Sequence, residues 1–121
     1  MKILVAHSSN YDYQTELYEP LKQSALAKEH TIIFPHDEEN LEVETNSQIP
    51  GTDLMIAEVS YPSTGAGIEI GLVQAAGIPT LFVYKTGTTP SSALKFIKGT
   101  LIEYTDSSDL VSKVEAELAK G

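Results

Sequence analysis

The chain has 121 residues and 13.1 kDa, a length that predicts one domain over residues 1–121, able to bury roughly two-thirds of its chain surface. It carries 17 acidic residues against 8 basic ones, a net charge of −9, and every basic residue is a lysine. That balance excludes an extended nucleic-acid surface, and it leaves a phosphate-bearing ligand to backbone amides, hydroxyls and at most a lysine.

There is no cysteine, so disulfides, thiolate catalysis and zinc–thiolate sites are out, and a cytoplasmic setting fits. The first residues, Met1-Lys2-Ile3-Leu4-Val5-Ala6-His7, hold too short an apolar run for a signal peptide and read as a buried strand. No segment approaches the ~20 apolar residues of a membrane span. In chain order, Ile3 to Ala6 predict a first strand, followed by the polar loop His7-Ser8-Ser9-Asn10. Asp12 or a neighbour caps a helix with Leu17, Leu21, Ala25 and Leu26 on one side; Pro20 either kinks it or marks its true start. Thr31 to Phe34 predict a second strand. Residues 36–52 lack apolar periodicity and read as an acidic loop holding one helical turn at most.

Leu54 to Val59 predict strand three, Ile68 to Ala76 the central helix, and Thr80 to Tyr84 strand four. A polar loop from Lys85 to Ser92, a short helix from Ala93 to Ile97 and a fifth strand from Leu101 to Tyr104 follow. Asp106 or Ser107 then caps a last amphipathic helix through Leu110, Val111, Val114 and Leu118. Near-continuous apolar strands alternating with helices predict an α/β fold, a three-layer sandwich around a five-stranded parallel sheet, flavodoxin-like or Rossmann-like. The loops after strands one, three and four then open on one carboxyl edge, so His7 to Asn10, Ser60 to Glu69 and Lys85 to Ser92 should converge on one pocket.

The stretch from Asp53 to Gly77 organises that edge: strand, glycine-rich loop, then a helix stopped by Gly77 ahead of Ile78-Pro79. Glu69 falls in the predicted first helical turn, where the helix dipole favours its ionised form. A first-turn glutamate is often merely structural, but the flanking Gly65 and Gly67 permit close approach of a ligand, and Ser63 lies in the same loop. The G-x-G-x-x-x-G spacing from Gly65 to Gly71 does not fit dinucleotide binding, and Glu69 would set an anion beside a pyrophosphate. A phospho-aspartate receiver would want acids after strand one, where His7-Ser8-Ser9 stands instead. Ser8, Ser9 and Asn10 hint at flavin phosphate binding, without the aromatic platforms such a site needs. Glu58 reads as a strand-end residue near the pocket or a solvated one. The three histidines show no ligand spacing, so neither metal nor cofactor is predicted.

The segment Ala-Glu-Val-Ser at 57–60, Pro62-Ser63, Gly65-x-Gly67-x-Glu69-x-Gly71 and Gly77-x-Pro79 resembles the signature of the nucleoside 2-deoxyribosyltransferase family, most of all its 2′-deoxynucleoside 5′-phosphate N-hydrolase branch. The Lys85 loop and Phe96-Ile97-Lys98-Gly99 match more loosely. The resemblance implies a small-molecule nucleotide substrate, with Glu69 as the nucleophile that attacks C1′ of the deoxyribose and expels the base. It implies that Ser63 contacts the 5′-phosphate, that Ser8 is the strand-one loop serine, and that Ser92 or Ser91 is lent to the pocket across a homodimer. Tyr11 is a candidate for stacking on the base, and Gly65 and Gly67 for close approach of the substrate. The chain departs from the family at His7 and Asn10, where a glycine and a nearby arginine are expected. It also departs before strand three, where a helix carrying a proton-donating aspartate is expected; Asp37, Glu39 or Glu44 could substitute. The implied activity is N-glycosidic cleavage or base exchange, and the rival reading is a non-catalytic nucleotide- or nucleotide-sugar-binding module.

Overall fold

The computed structural model describes residues 1–37 and 45–120. Five strands, β1 (Lys2–Ala6), β2 (Thr31–Ile33), β3 (Leu54–Glu58), β4 (Thr80–Lys85) and β5 (Thr100–Tyr104), pair in parallel in the order β2-β1-β3-β4-β5. This is the expected five-stranded parallel α/β architecture. Its topological switch point lies between β1 and β3, the crevice where ligands of such sheets bind.

The helical segments are α1 (Gln14–Tyr18 continued by Glu19–Lys22), α2 (Ala25–Glu29), α3 (Thr45–Gln48), α4 (Thr64–Ala75) and α5 (Ser107–Ala119), with a 3₁₀ turn at Ser92–Phe96. Ile3, Val5, Leu54, Ile56, Leu81, Val83 and Ile102 pack on one face of the sheet with Leu17, Leu21, Leu26, Leu110 and Val114 from α1, α2 and α5. Leu4, Ala6, Met55, Ala57 and Phe82 pack on the other with Ala66, Ile70 and Val73 of α4. Strands buried on both faces have no polar side, which is why their sequences run apolar without alternation. The second face is covered unevenly: α4 lies over β1 and β3, while Leu101 on β5 and Phe96 in the 3₁₀ turn are 53% and 87% exposed.

Of the two readings of Pro20, the second holds: the α-helical part of α1 begins at Glu19, with Pro20 in its first turn. Residues Gln14–Tyr18 are wound as a π-helix, and the Glu19 N–H reaches back to the Gln14 carbonyl. Proline has no N–H to return to the carbonyl of residue 16. That carbonyl instead accepts the hydroxyl of Ser107, at the start of α5, at 2.8 Å. The vacancy left by Pro20 thereby fastens α1 to α5.

Helix α4 begins four residues earlier than the Ile68 start predicted from apolar spacing. Ser63 is its N-cap, with Oγ accepting the Ala66 N–H at 3.1 Å. Gly65 and Gly67 are therefore inside the helix, and Glu69 stands in its second turn rather than its first. The end is as predicted: Gly77 takes φ +74°, its N–H bonds the Gln74 carbonyl and the Ile78 N–H bonds that of Val73, both at 3.1 Å. This pair of bonds closes a helix on a left-handed residue that only glycine occupies cheaply. Asp106 caps α5, with its carboxylate accepting the Asp109 N–H at 2.9 Å. Between residues 36 and 52 the described part holds one helical turn, α3; Glu38, Glu39, Glu42 and Glu44 of the acidic run lie outside the described residues.

Candidate active site

The carboxyl edge is built from the last residues of β1 and β3. One position beyond the paired Ala6 and Ala57, His7 and Glu58 stand side by side on the α1/α5 face, buried to 4% and 1% exposure. Each is held by a tyrosine. His7 Nδ1 lies 2.7 Å from the Ser8 carbonyl and Nε2 2.6 Å from Tyr18 Oη. A carbonyl only accepts, so Nδ1 carries the proton and Nε2 accepts the Tyr18 hydroxyl. The same phenolic oxygen takes the backbone N–H of His36 at 3.0 Å. Burial pushes His7 down to about 4, which keeps the imidazole neutral.

Glu58 is held by three donors. The Ser60 N–H and hydroxyl reach its carboxylate at 2.6 and 2.8 Å, and the Tyr104 hydroxyl donates to it as well. Ser60 Oγ in turn accepts the Lys85 N–H at 2.7 Å, so one carboxylate ties together the ends of β3, β4 and β5. Burial raises its pKa in spite of these bonds. Of the two readings the sequence left open for Glu58, the pocket one holds: it borders the cavity beside α4 and is not solvated, and its place with Leu54 and Ile56 on one alternation of β3 was the signal for burial.

Glu69 is the contrasting carboxylate. It is half-buried, and one oxygen is closed off from solvent with no hydrogen-bond partner among the described residues. Burial raises its pKa to about 7, the reverse of the dipole effect expected for a first-turn residue. The Glu69 charge also contributes to raising the Tyr18 phenol, after burial and the Tyr13 and Asp37 charges.

The remaining predicted residues divide into two groups. A cavity of about 910 Å³ lies between α4 and the 89–97 segment, and its wall includes Ser63, Gly67, Ser91 and Ser92 together with Ile70 and Leu94. Glu69, Ser8, Tyr11 and Gly65 do not line it. Helix geometry explains the division: two residues advance about 200° around the axis, so Gly67 and Glu69 look to opposite flanks of α4. Ser8 is buried, and its hydroxyl accepts the Asn10 N–H at 3.0 Å, shaping the first loop. Tyr11 lays its ring against Tyr61, centroids 4.8 Å apart, and its buried hydroxyl has no partner. Burial, then the neighbouring Glu58 charge, raise that phenol strongly.

An aromatic run that spacing did not reveal continues from Tyr11. Tyr13 stacks on His7 at 4.4 Å, and His36 approaches both His7 and Tyr13 at 4.7 and 5.3 Å. Among the described residues, no three His, Cys, Asp or Glu side chains group to hold a metal ion.

Comparison with known proteins adds two likenesses. No family model matches the sequence. Over 71 residues the chain is 42% identical to a protein of Syntrophotalea carbinolica provisionally named 2′-deoxynucleoside 5′-phosphate N-hydrolase 1, a match spanning 56% of this chain and 50% of that protein. Among solved structures, the fold is similar to the CMP N-glycosidase BcmB of Clostridium botulinum, with a TM-score of 0.75 over 97% of this chain and 99% of that one at 15% identity. By sequence the chain thus resembles the N-hydrolase branch to which its 53–79 segment pointed, and by fold it shares the α/β architecture of an N-glycosidase.

Proposed function

We propose that this chain cleaves the N-glycosidic bond of a 2′-deoxynucleoside 5′-monophosphate, with Glu69 as the nucleophile. The observation that carries the reading is the Glu69 carboxylate itself, unpartnered at the switch-point edge within two turns of a serine-capped helix start. An anion left without donors is costly in the resting protein and gains most from the positive charge that develops at C1′. Glu69 attacks C1′, the C1′–N bond breaks with its electron pair leaving on the base, and an ester joins sugar to enzyme. Water then attacks C1′ and frees the carboxylate; a second base in its place would give exchange.

Ser63 supports the phosphate end. Its oxygen already accepts the Ala66 N–H, so its hydroxyl proton is available to a phosphate oxygen. The start of α4 adds free backbone N–H groups and a favourable dipole for an anion. Ser63 and Glu69 are separated by about 9 Å along the helix axis, a span for a sugar phosphate laid over the first two turns.

A homodimer belongs to the same reading. Ile68 and Leu72 on α4 and Phe96 in the 3₁₀ turn are exposed, and a Cβ on Gly67 or Gly71 would meet nothing within 4 Å. A second copy laid along this flank would bring its own Ser91 and Ser92 to the edge of α4.

Three outcomes follow from this reading. Incubated with a panel of ribo- and deoxynucleoside monophosphates and free nucleosides, wild type should release base from the deoxynucleoside monophosphates, and Glu69→Gln should be slower by ~10³-fold or more. Nucleotide returned intact by wild type would contradict the reading and favour a binding module. Glu69 also predicts a pH signature. The folded protein holds its proton more tightly than the unfolded chain, so stability from this group is full below pH 4.5 and is lost as pH rises to about 7. In urea unfolding, Glu69→Gln should match wild type at the acid end and exceed it by about 2 kcal/mol above neutrality. Parallel curves for the two proteins would show a solvated Glu69. Sedimentation should find a dimer, and a monomer across micromolar concentrations would remove the shared-serine arrangement.

A further inference from the structure

The proposed cleavage leaves one role unfilled, since a nucleobase departs slowly unless it is protonated as the bond breaks. The carboxylates that the sequence offered do not fill it among the described residues: Asp37 is engaged by Lys22 Nζ at 2.9 Å, and Glu39 and Glu44 lie outside them. Nor do the other ionisable groups at this edge. Glu58 is saturated by three donors. His7 has both nitrogens occupied and is held neutral.

His36 differs from all of these. Its ring lies against His7 and edge-on to Tyr13, and neither of its ring nitrogens has a hydrogen bond among the described residues. Its backbone N–H is fixed to Tyr18 Oη, and Tyr18 is the phenol that feels the Glu69 charge. Among the described residues, the charged and titratable groups around it are His7 from β1, Tyr13 and Tyr18 from the α1 region, and the Lys22–Asp37 pair at its own end of the β2 loop. A stacked and half-buried imidazole, whose ring nitrogens have no hydrogen bond among the described residues, thus stands beside His7 at the carboxyl end of β1, on the sheet edge from which β3 leads into α4 and Glu69.

We propose that His36 is the proton donor to the departing base, resting on the Glu69 reading above. As Glu69 forms its bond to C1′ and the C1′–N pair moves onto the base, the His36 imidazolium transfers one proton to a base nitrogen or oxygen and becomes neutral. The base leaves as a neutral molecule. Water attacks from the side the base vacated: its oxygen bonds C1′, its proton passes to His36, the C1′–O bond to Glu69 breaks, and both residues return to their starting states. Histidine is the side-chain type suited to both halves of that cycle near neutral pH.

The test compares two leaving groups. Wild type and His36→Phe, which keeps an aromatic ring in the stack, are assayed on the 2′-deoxynucleoside monophosphates and on 4-nitrophenyl 2-deoxyribofuranoside 5-phosphate, whose nitrophenolate departs without a proton. His36→Phe should lose ~10²–10⁴-fold on the nucleotides, while its first-turnover burst of nitrophenolate, which precedes the water step, should stay within about threefold of wild type. Added imidazole should restore nucleotide cleavage to His36→Ala, a rescue that merely structural damage would not show. An equal fall on both compounds without imidazole rescue, or unchanged nucleotide cleavage by His36→Phe, would overturn the assignment. Failure of wild type to cleave either compound would instead sink the Glu69 reading, and this proposal with it.

Discussion

A carboxylate buried at the end of a central strand must find donors or lose its charge, and the carboxyl edge of this protein is arranged around how Glu58 meets that demand. Ser60 supplies two bonds and Tyr104 a third, while the Ser60 hydroxyl collects the Lys85 N–H. Three strand ends are thereby fixed to one another at the point where the chain leaves β3 for α4. Ser63 at the helix cap and Glu69 in the second turn of α4 follow on the same stretch of chain. Removing the Glu58 carboxylate would leave Ser60 and Tyr104 without their acceptor, so the edge stands or falls as a unit.

The two glutamates of this edge show how environment divides one functional group into two roles. Glu58 is held by three donors; Glu69 has a buried oxygen with no donor among the described residues. Both are raised by burial, but Glu58 already accepts three hydrogen bonds. The unpartnered Tyr11 hydroxyl stands near Glu58 in the same way. Buried polar atoms without partners are rare in folded proteins, and among the described residues these two are such atoms.

Much of this was legible in the sequence. The continuous apolar runs of β1, β3 and β4 mark strands covered on both faces, and Gly77 ahead of Pro79 marks the end of α4. The start of α4 was not, because Thr64-Gly65-Ala66-Gly67 is poor in helix formers and is held helical by the Ser63 cap and by the packing of Ala66. That shift moved Glu69 out of the first turn and replaced a dipole argument with a desolvation one. The π-helical turn before Pro20 depends on Ser107, far away in sequence, and no local propensity reports such a partner. His7, Tyr13, Tyr18 and His36 have no motif spacing; β1, α1 and the end of β2 bring them together only through the sheet order.

The central claim is that Glu69 forms a bond to the sugar. Rapid acid quench of wild type with a cleaved deoxynucleoside monophosphate, followed by intact-mass and peptide mass spectrometry, addresses that bond directly. The account predicts an adduct of one deoxyribose 5-phosphate on the peptide carrying Glu69, absent in Glu69→Gln. Base release at full rate with no adduct at any quench time, or an adduct mapped to another residue, would contradict it.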